Sequence, residues 1–138
     1  MRSTAWKWSG SLKLIPERVA ALDAHPGKFA FGIVGELHCQ EALASICGGK
    51  SRNGHRHKEV ALLIPYENRR DKEAVGVLMG EEQLVGHLTR DDARRMRRAL
   101  IAMGLEGCSL KVPALIVGGW DRGDGDEGHF GVKLDLPV

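Results

Sequence analysis

Cysteine and aromatic residues are scarce in this sequence, and it has no long hydrophobic run. The three cysteines include no CxxC pair, which excludes a disulfide framework and a cysteine-rich zinc site. No apolar run approaches the roughly 20 residues that span a bilayer, and the N-terminus lacks the apolar core of a secretory signal. We therefore expect reduced thiols, no membrane partner and a cytoplasmic protein.

What is present has the balance of one globular domain. Of the 138 residues, 43% are hydrophobic and 28% are charged, which excludes wholesale disorder, collagen and coiled coil. The first 28 residues differ from the rest: Trp6 and Trp8 alternate with polar residues, and Pro16 opens a short amphipathic stretch that Pro26 and Gly27 end. This pattern predicts an extension over residues 1–28 with a short helix, followed by a main domain over residues 29–138.

Charge is grouped in blocks along the chain, although the net charge is only +2. Residues 50–72 hold seven Lys or Arg against three acids, and residues 90–98 hold five Arg against two Asp. The stretches 73–89 and 106–138 each carry a net charge of −3. A basic side can attract a polyanion despite a nearly neutral total; solvated loops and a solvated helix face are the alternative.

From residue 29 the hydrophobic pattern is mainly that of strands. Alternation predicts strands over residues 29–35, 58–65, 74–79, 83–88, 109–117 and 130–136. Two helices are predicted, over residues 40–47 and from the N-cap Thr89 to Gly104. The buried stripe predicted for the second helix is Ala93, Met96, Leu100 and Met103. About six strands with two inserted helices predict a mainly β (α+β) fold, a small barrel or strongly curved sheet.

One run, LLIPYENRRDKEAVGVLMGEEQLVGHLTRDDARRMRRAL (residues 62–100), resembles a HIRAN domain. The positions that carry the likeness are Asn68, Asp71, Ala74, Val75, Val85, Gly86, His87, Leu88 and Ala93. Residues 33–36, 116–120 and 130–132 are similar to bacterial members, so the likeness covers about residues 29–136.

The resemblance implies a modified OB-like barrel that binds single-stranded DNA. In one branch of the family the domain captures a free 3′ end with an Arg-Tyr-Tyr stretch, a Tyr-Asp pair and a His. Here Asp71 and His87 match, Arg70 replaces the loop Tyr, and the Arg-Tyr-Tyr positions fall near Leu37, His38 and Cys39. We therefore expect a module of DNA repair or processing that acts alone or beside a helicase or nuclease on another chain.

The chemistry of the matching loop supports that expectation. An ionised Asp71 can accept a hydrogen bond from a 3′-OH and repels a 3′-phosphate; the alternative is that it shapes its own loop with Asn68 through Asx-type bonds. His87 either contacts a phosphate or base or packs within its strand. Arg70 and His38 can stack on bases. The predicted DNA-binding residues are His38, Asn68, Arg69, Arg70, Asp71, Lys72 and His87.

The sequence has few residue patterns that indicate catalysis or metal binding. His38 and Cys39 are chain neighbours, which a strand would direct to opposite faces. His55 and His57 lack a third ligand at zinc spacing, the aspartates near Asp124 lack the calcium-loop pattern, and no phosphate-binding loop is present. We expect no catalytic activity, no cofactor and no metal.

Two further alternatives stay open. A protein-interaction module would use the two N-terminal tryptophans, Trp6 and Trp8, and the acidic loop near Asp124. The arginines of the second helix form either a contact ridge or a solvated face: Arg90, Arg94, Arg97 and Arg98.

Overall fold

The computed structural model describes residues 19–21, 27–67 and 69–136. In chain order the elements are β1 (Val19–Ala21), β2 (Phe31–Gly32), a 3₁₀ helix (Glu36–Cys39), α1 (Gln40–Cys47), β3 (His55–Tyr66), β4 (Ala74–Met79), β5 (Gln83–His87), α2 (Arg90–Ala102), β6 (Ser109–Gly118) and β7 (Phe130–Leu134). The fold is mainly β with two α-helices, as the alternating pattern predicts.

The strands form one curled sheet in the order β2-β7-β6-β3-β4-β5, in which every neighbouring pair is antiparallel. Strand β1 pairs in parallel with β6, outside this order. The two ends of the sheet approach each other, because the N–H groups of Val34 and His87 each donate to the other's carbonyl at 2.8 Å. The architecture is therefore a small OB-like half-barrel, and a curled sheet hides the edges that an open sheet exposes.

The core lies inside the curl. Alternate residues of β3 and β4, among them Leu63, Val75 and Val77, point into it and are fully buried. Helix α2 adds one face of its own to this core, and the buried residues of that face are Ala93, Met96 and Leu100. Burial of the larger of these side chains, such as Leu63 and Leu100, is worth about 1.5–3 kcal/mol each.

Helix α2 begins where the sequence predicts. The Thr89 hydroxyl accepts the N–H of Asp92 at 3.2 Å, and Asp91 and Asp92 occupy the first turn, where carboxylates favour the helix dipole. Met103, predicted as buried, is the C-cap of the helix and is 46% exposed. Across the described ranges, no helix is both long enough and apolar enough to cross a bilayer.

Three other predictions of local structure need correction. Val19–Ala21 lie in the stretch predicted as a helix, but they form strand β1. Their pairing with β6 overrides the local helical pattern. The predicted strand over residues 29–35 shortens to Phe31–Gly32, since Phe29 adopts a positive φ of 47°. Strand β3 begins at His55, within the stretch predicted as a polar loop. Trp6 and Trp8 lie outside the described residues.

Candidate nucleic-acid interface

The loop between β3 and β4, which carries most of the predicted binding residues, is held at both ends by Arg97 of α2. The guanidinium of Arg97 donates to the carbonyls of Tyr66 and Ala74, both at 2.8 Å, and to that of Glu73 at 2.9 Å. Burial lowers the pKa of Arg97 from its ordinary value, while the carboxylates of Glu73, Asp71 and Glu67 act in the opposite direction. An arginine keeps its charge in proteins, so three carbonyls at the ends of the loop share one partly buried cation.

Asp71 shapes this loop. One carboxylate oxygen of Asp71 accepts the N–H of Glu73 at 2.9 Å, which is the Asx-type bond expected from the sequence, and the other lies 4.0 Å from Nε of Arg90. The Asp71 side chain is only 15% exposed. Because a carboxylate offers about four acceptor positions, shaping a loop and accepting a ligand hydroxyl are compatible roles.

Cations surround Asp71. Arg69 and Lys72 are exposed and, within the described part of the chain, form no hydrogen bond or ion pair. The carbonyl of Arg70 accepts from Arg90 at 3.4 Å, and Arg94 lies 3.2 Å from the carboxylate of Glu73. Three arginines of the predicted ridge, Arg90, Arg94 and Arg97, therefore face the loop rather than open solvent alone.

His87 contacts the same region through Tyr66, which the sequence pattern predicts to lie in the loop. The hydroxyl of Tyr66 and Nε2 of His87 form a hydrogen bond, and the centroids of the two rings are 5.7 Å apart. Gly76 lies beneath the Tyr66 ring, where an added Cβ would sit 3.4 Å from Cε1. Burial lowers the pKa of His87, which favours the neutral form of its ring. Val60, Leu62, Ile64 and Tyr66 continue one period-two series, a signal that could have extended the predicted strand to Tyr66.

His38 lies on the 3₁₀ helix, which packs next to β5. An added Cβ on Gly35, the residue before this helix, would lie 4.0 Å from Nδ1 of His87. The His38 side chain is exposed and has no hydrogen bond or ion pair among the described residues. The structure thus joins Asp71 with Arg70 through Arg90 and connects the loop to His87 through Tyr66. Asn68 lies outside the described residues.

The residues weighed for catalysis or metal binding have other roles. Burial and the nearby Glu36 raise the pKa of Cys39, which disfavours the thiolate that a nucleophile needs. His55 stacks on Phe130 at 5.5 Å, and His57 lies 3.1 Å from Glu59. Where the structure is described, no group of three or more His, Cys, Asp or Glu is placed to hold a metal ion.

The acidic loop between β6 and β7 is built around Trp120. Asp126 accepts from Nε1 of Trp120 at 3.1 Å, and the guanidinium of Arg122 lies 5.4 Å from the centroid of the same ring. Gly128 packs against the ring, where an added Cβ would come within 2.4 Å of it. The carboxylate of Asp121 accepts the N–H of Gly123 at 3.0 Å. Asp121 and Asp126 therefore maintain the shape of this loop.

Comparisons with protein-family models, with curated proteins and with solved structures found no match to this chain.

Proposed function

We propose that this chain is a non-enzymatic module that binds single-stranded DNA at the β3–β4 loop and recognises a free 3′-OH end. The observation that carries the proposal is the arrangement around Asp71, a carboxylate held in place by Glu73 and Arg90 and flanked by the exposed cations Arg69 and Lys72. The resemblance of residues 62–100 to a HIRAN domain supports the same function.

The chemistry divides between the carboxylate and the cations. A 3′-OH that donates to Asp71 gains a charge-assisted hydrogen bond worth about 1.5–3 kcal/mol, whereas a 3′-phosphate meets a like charge. Arg69 and Lys72 supply the positive charge that binds adjacent phosphates of the strand. The site therefore distinguishes the two kinds of end by charge and holds the strand independently of its sequence.

In this proposal, planar side chains other than tyrosine stack on the bases. The sole tyrosine of the chain, Tyr66, is 4% exposed and supports His87 rather than a base. The flat side chains of Arg70 and His38 take the stacking role, since a guanidinium plane and an imidazole both stack on bases. A helicase or nuclease on another chain would supply the motor or cleavage activity that this module lacks.

The test is fluorescence anisotropy with short labelled oligonucleotides that end in 3′-OH or 3′-phosphate. The Asp71→Asn variant keeps an oxygen to accept the N–H of Glu73 but loses the charge, so we expect the preference for 3′-OH to fall about tenfold. The matched control is Asp121→Asn, which makes the same change at an Asx-type bond in the acidic loop. Equal preference for 3′-OH in wild type, Asp71→Asn and Asp121→Asn would contradict the proposal.

The other outcomes separate the alternatives. Binding with a log–log salt slope of about −0.7 per phosphate contact but no end preference indicates a sequence-independent strand groove. Absence of binding even at low salt favours the second candidate, a protein-interaction module. The observation that favours that candidate is the fixed acidic loop, in which residues 121–127 are all exposed.

A further inference from the structure

The face of the sheet that points away from the core carries a second group of cations. Arg56 and Lys58 lie on β3, Lys111 on β6 and Lys133 on β7, and all four are exposed. We name these four residues the basic sheet face. They alternate with core residues along each strand, so they share one side of the sheet.

The strand register places three of these cations in two adjacent rows. Lys58 pairs with Leu115, and Leu115 pairs with Lys133. Since neighbouring strands lie 4.7–4.9 Å apart, the backbones of the two lysines are about 10 Å apart. Arg56 occupies the next row, opposite Val117. Lys111 stands opposite Leu62, further along β3 toward the β3–β4 loop.

The positive charges of the basic sheet face are not paired with carboxylates of the described residues. Among the described residues, none of its four side chains forms a hydrogen bond or an ion pair. Glu59, next to Lys58, points to the opposite side of the sheet, where it meets His57. The buried Asp135 accepts the N–H of Gly27 at 2.8 and 3.0 Å. Glu82 and Glu59 both line a groove with Lys111.

The shape of this face also suits a close ligand. Gly131 and Gly32 lie on it beside Lys133, and nothing stands within 4 Å of the Cβ position of Gly32. Glycine in a strand often marks a place where a ligand or another backbone approaches closely. Val60, 56% exposed, adds an apolar contact further along β3. A row of cations along the strands of the sheet fits a linear polyanion better than a compact ion.

We infer that the basic sheet face binds the sugar-phosphate backbone of a single strand whose end occupies the β3–β4 loop. The inference rests on the proposed function, which supplies the strand. Between Lys58 and Tyr66, strand β3 runs for about 27 Å at roughly 3.4 Å per residue. The residues of this side nearest the loop, Ile64 and Tyr66, are buried. A strand that joins the two sites therefore crosses this covered stretch, then passes Lys111 and reaches Lys58, Arg56 and Lys133.

The experiment compares a short and a long oligonucleotide, of about 4 and about 16 nucleotides, which bracket the usual site size of an OB fold. The variant is Lys58→Gln/Lys133→Gln. The matched control, Arg95→Gln/Arg98→Gln, removes the same charge from the exposed face of α2. For the long strand we expect roughly tenfold weaker binding at low salt and a salt slope smaller in magnitude by about 1.4, for two lost contacts. We expect binding of the short strand to stay unchanged.

The results separate this inference from the proposed function. If the sheet and helix doubles weaken long-strand binding equally, net charge is the cause and the inference is wrong, while the loop site stands. If the long strand binds and the sheet double has no effect, the inference is wrong as well. If the sheet double weakens long-strand binding but Arg69→Gln/Lys72→Gln does not, the sheet surface stands and the loop site fails. If no oligonucleotide binds, both fail.

Discussion

The side chain of Asp71 shows how one residue can serve both structure and recognition. Its carboxylate accepts the N–H of Glu73 and faces Arg90, so the loop holds the charge in a defined place. The sequence alone left a structural role and a ligand role open for this residue. The structure shows the structural role, and the ligand role remains the proposal that Asp71→Asn tests.

Ser109 carries a buried hydroxyl whose removal should stabilise the protein. Its Oγ is fully buried and has no hydrogen-bond partner in the described part of the chain. An unsatisfied buried polar group costs about 1–3 kcal/mol, so Ser109→Ala should raise the free energy of unfolding by about 1 kcal/mol in urea denaturation. The matched variant Ser51→Ala loses the bond that its hydroxyl donates to Gly54 at 2.9 Å and should be less stable than wild type. Equal destabilisation by both substitutions would show that the Ser109 hydroxyl is satisfied.

His87 should make stability depend on pH in mildly acidic solution. Burial lowers its pKa in the folded state below the ordinary value of 6.5, so the unfolded state binds the proton more readily. The stabilisation is therefore complete above pH 6.5 and is lost as pH falls through the folded-state pKa. Urea denaturation across this range should show a smaller decline in His87→Gln. Tyr66→Phe should retain most of the decline because it keeps the ring buried, and an identical decline in wild type and His87→Gln would contradict this account.

At the scale of elements, Arg97 joins α2 to the ends of β3 and β4. Three loop and strand carbonyls would lose their donor in Arg97→Met, and hydrogen bonds to charged groups contribute about 1.5–3 kcal/mol each. We expect the free energy of unfolding to fall by at least about 2 kcal/mol. Arg98→Met, on the exposed face of the same helix, should change it by no more than about 0.5 kcal/mol. A similar fall in the free energy of unfolding in the two variants would mean that the hydrogen bonds of the Arg97 guanidinium do not contribute to stability.

The closure of the sheet depends on a glycine at position 86. An added Cβ there would lie 2.7 Å from the carbonyl oxygen of Val34, whose backbone pairs with His87. Gly86→Ala should therefore break this pair and lower the free energy of unfolding by about 2 kcal/mol or more. Gly131→Ala is the control, since its Cβ meets only Val117 at an ordinary 3.6 Å. Faster amide exchange at His87 in Gly86→Ala alone would verify the mechanism, and unchanged exchange would contradict it.

Elements with local signals could be predicted from the sequence, and those that depend on distant partners could not. The bounds of α1 and β4 agree with the prediction because glycines and hairpin residues mark their ends. Strand β1 was predicted as helix because its pairing with β6 joins segments 90 residues apart, such as Val19 and Ser109. The same limit applies to the site. Arg69, Arg70 and Lys72 are close to Asp71 in sequence, whereas Arg90 is not. The contact of Tyr66 with His87 requires the register in which Gly76 pairs with both Ile64 and His87.

For the whole molecule, folding pairs some charges of opposite blocks, Lys50 with Glu127 and Arg94 with Glu73, and leaves others, such as Lys58 and Lys133, unpaired among the described residues. The loop around Asp71 and the basic sheet face lie along β3, and the acidic residues 121–127 form the loop between β6 and β7. A protein with a net charge of only +2 can thus attract a polyanion on one side. The block at residues 50–72 predicted this attraction, but the sequence could not show that Lys111 and Lys133 share a sheet face with Arg56 and Lys58.

The most direct test of the central claim is a titration of the ¹⁵N-labelled protein with a single-stranded oligonucleotide that ends in a 3′-OH, followed by amide chemical shifts. The account predicts the largest changes at residues 69–73, at His87 and at Arg90. A strand blocked by a 3′-phosphate should produce smaller changes at residues 71–73. No change at these amides on addition of saturating oligonucleotide, or changes confined to residues 121–127, would contradict the claim.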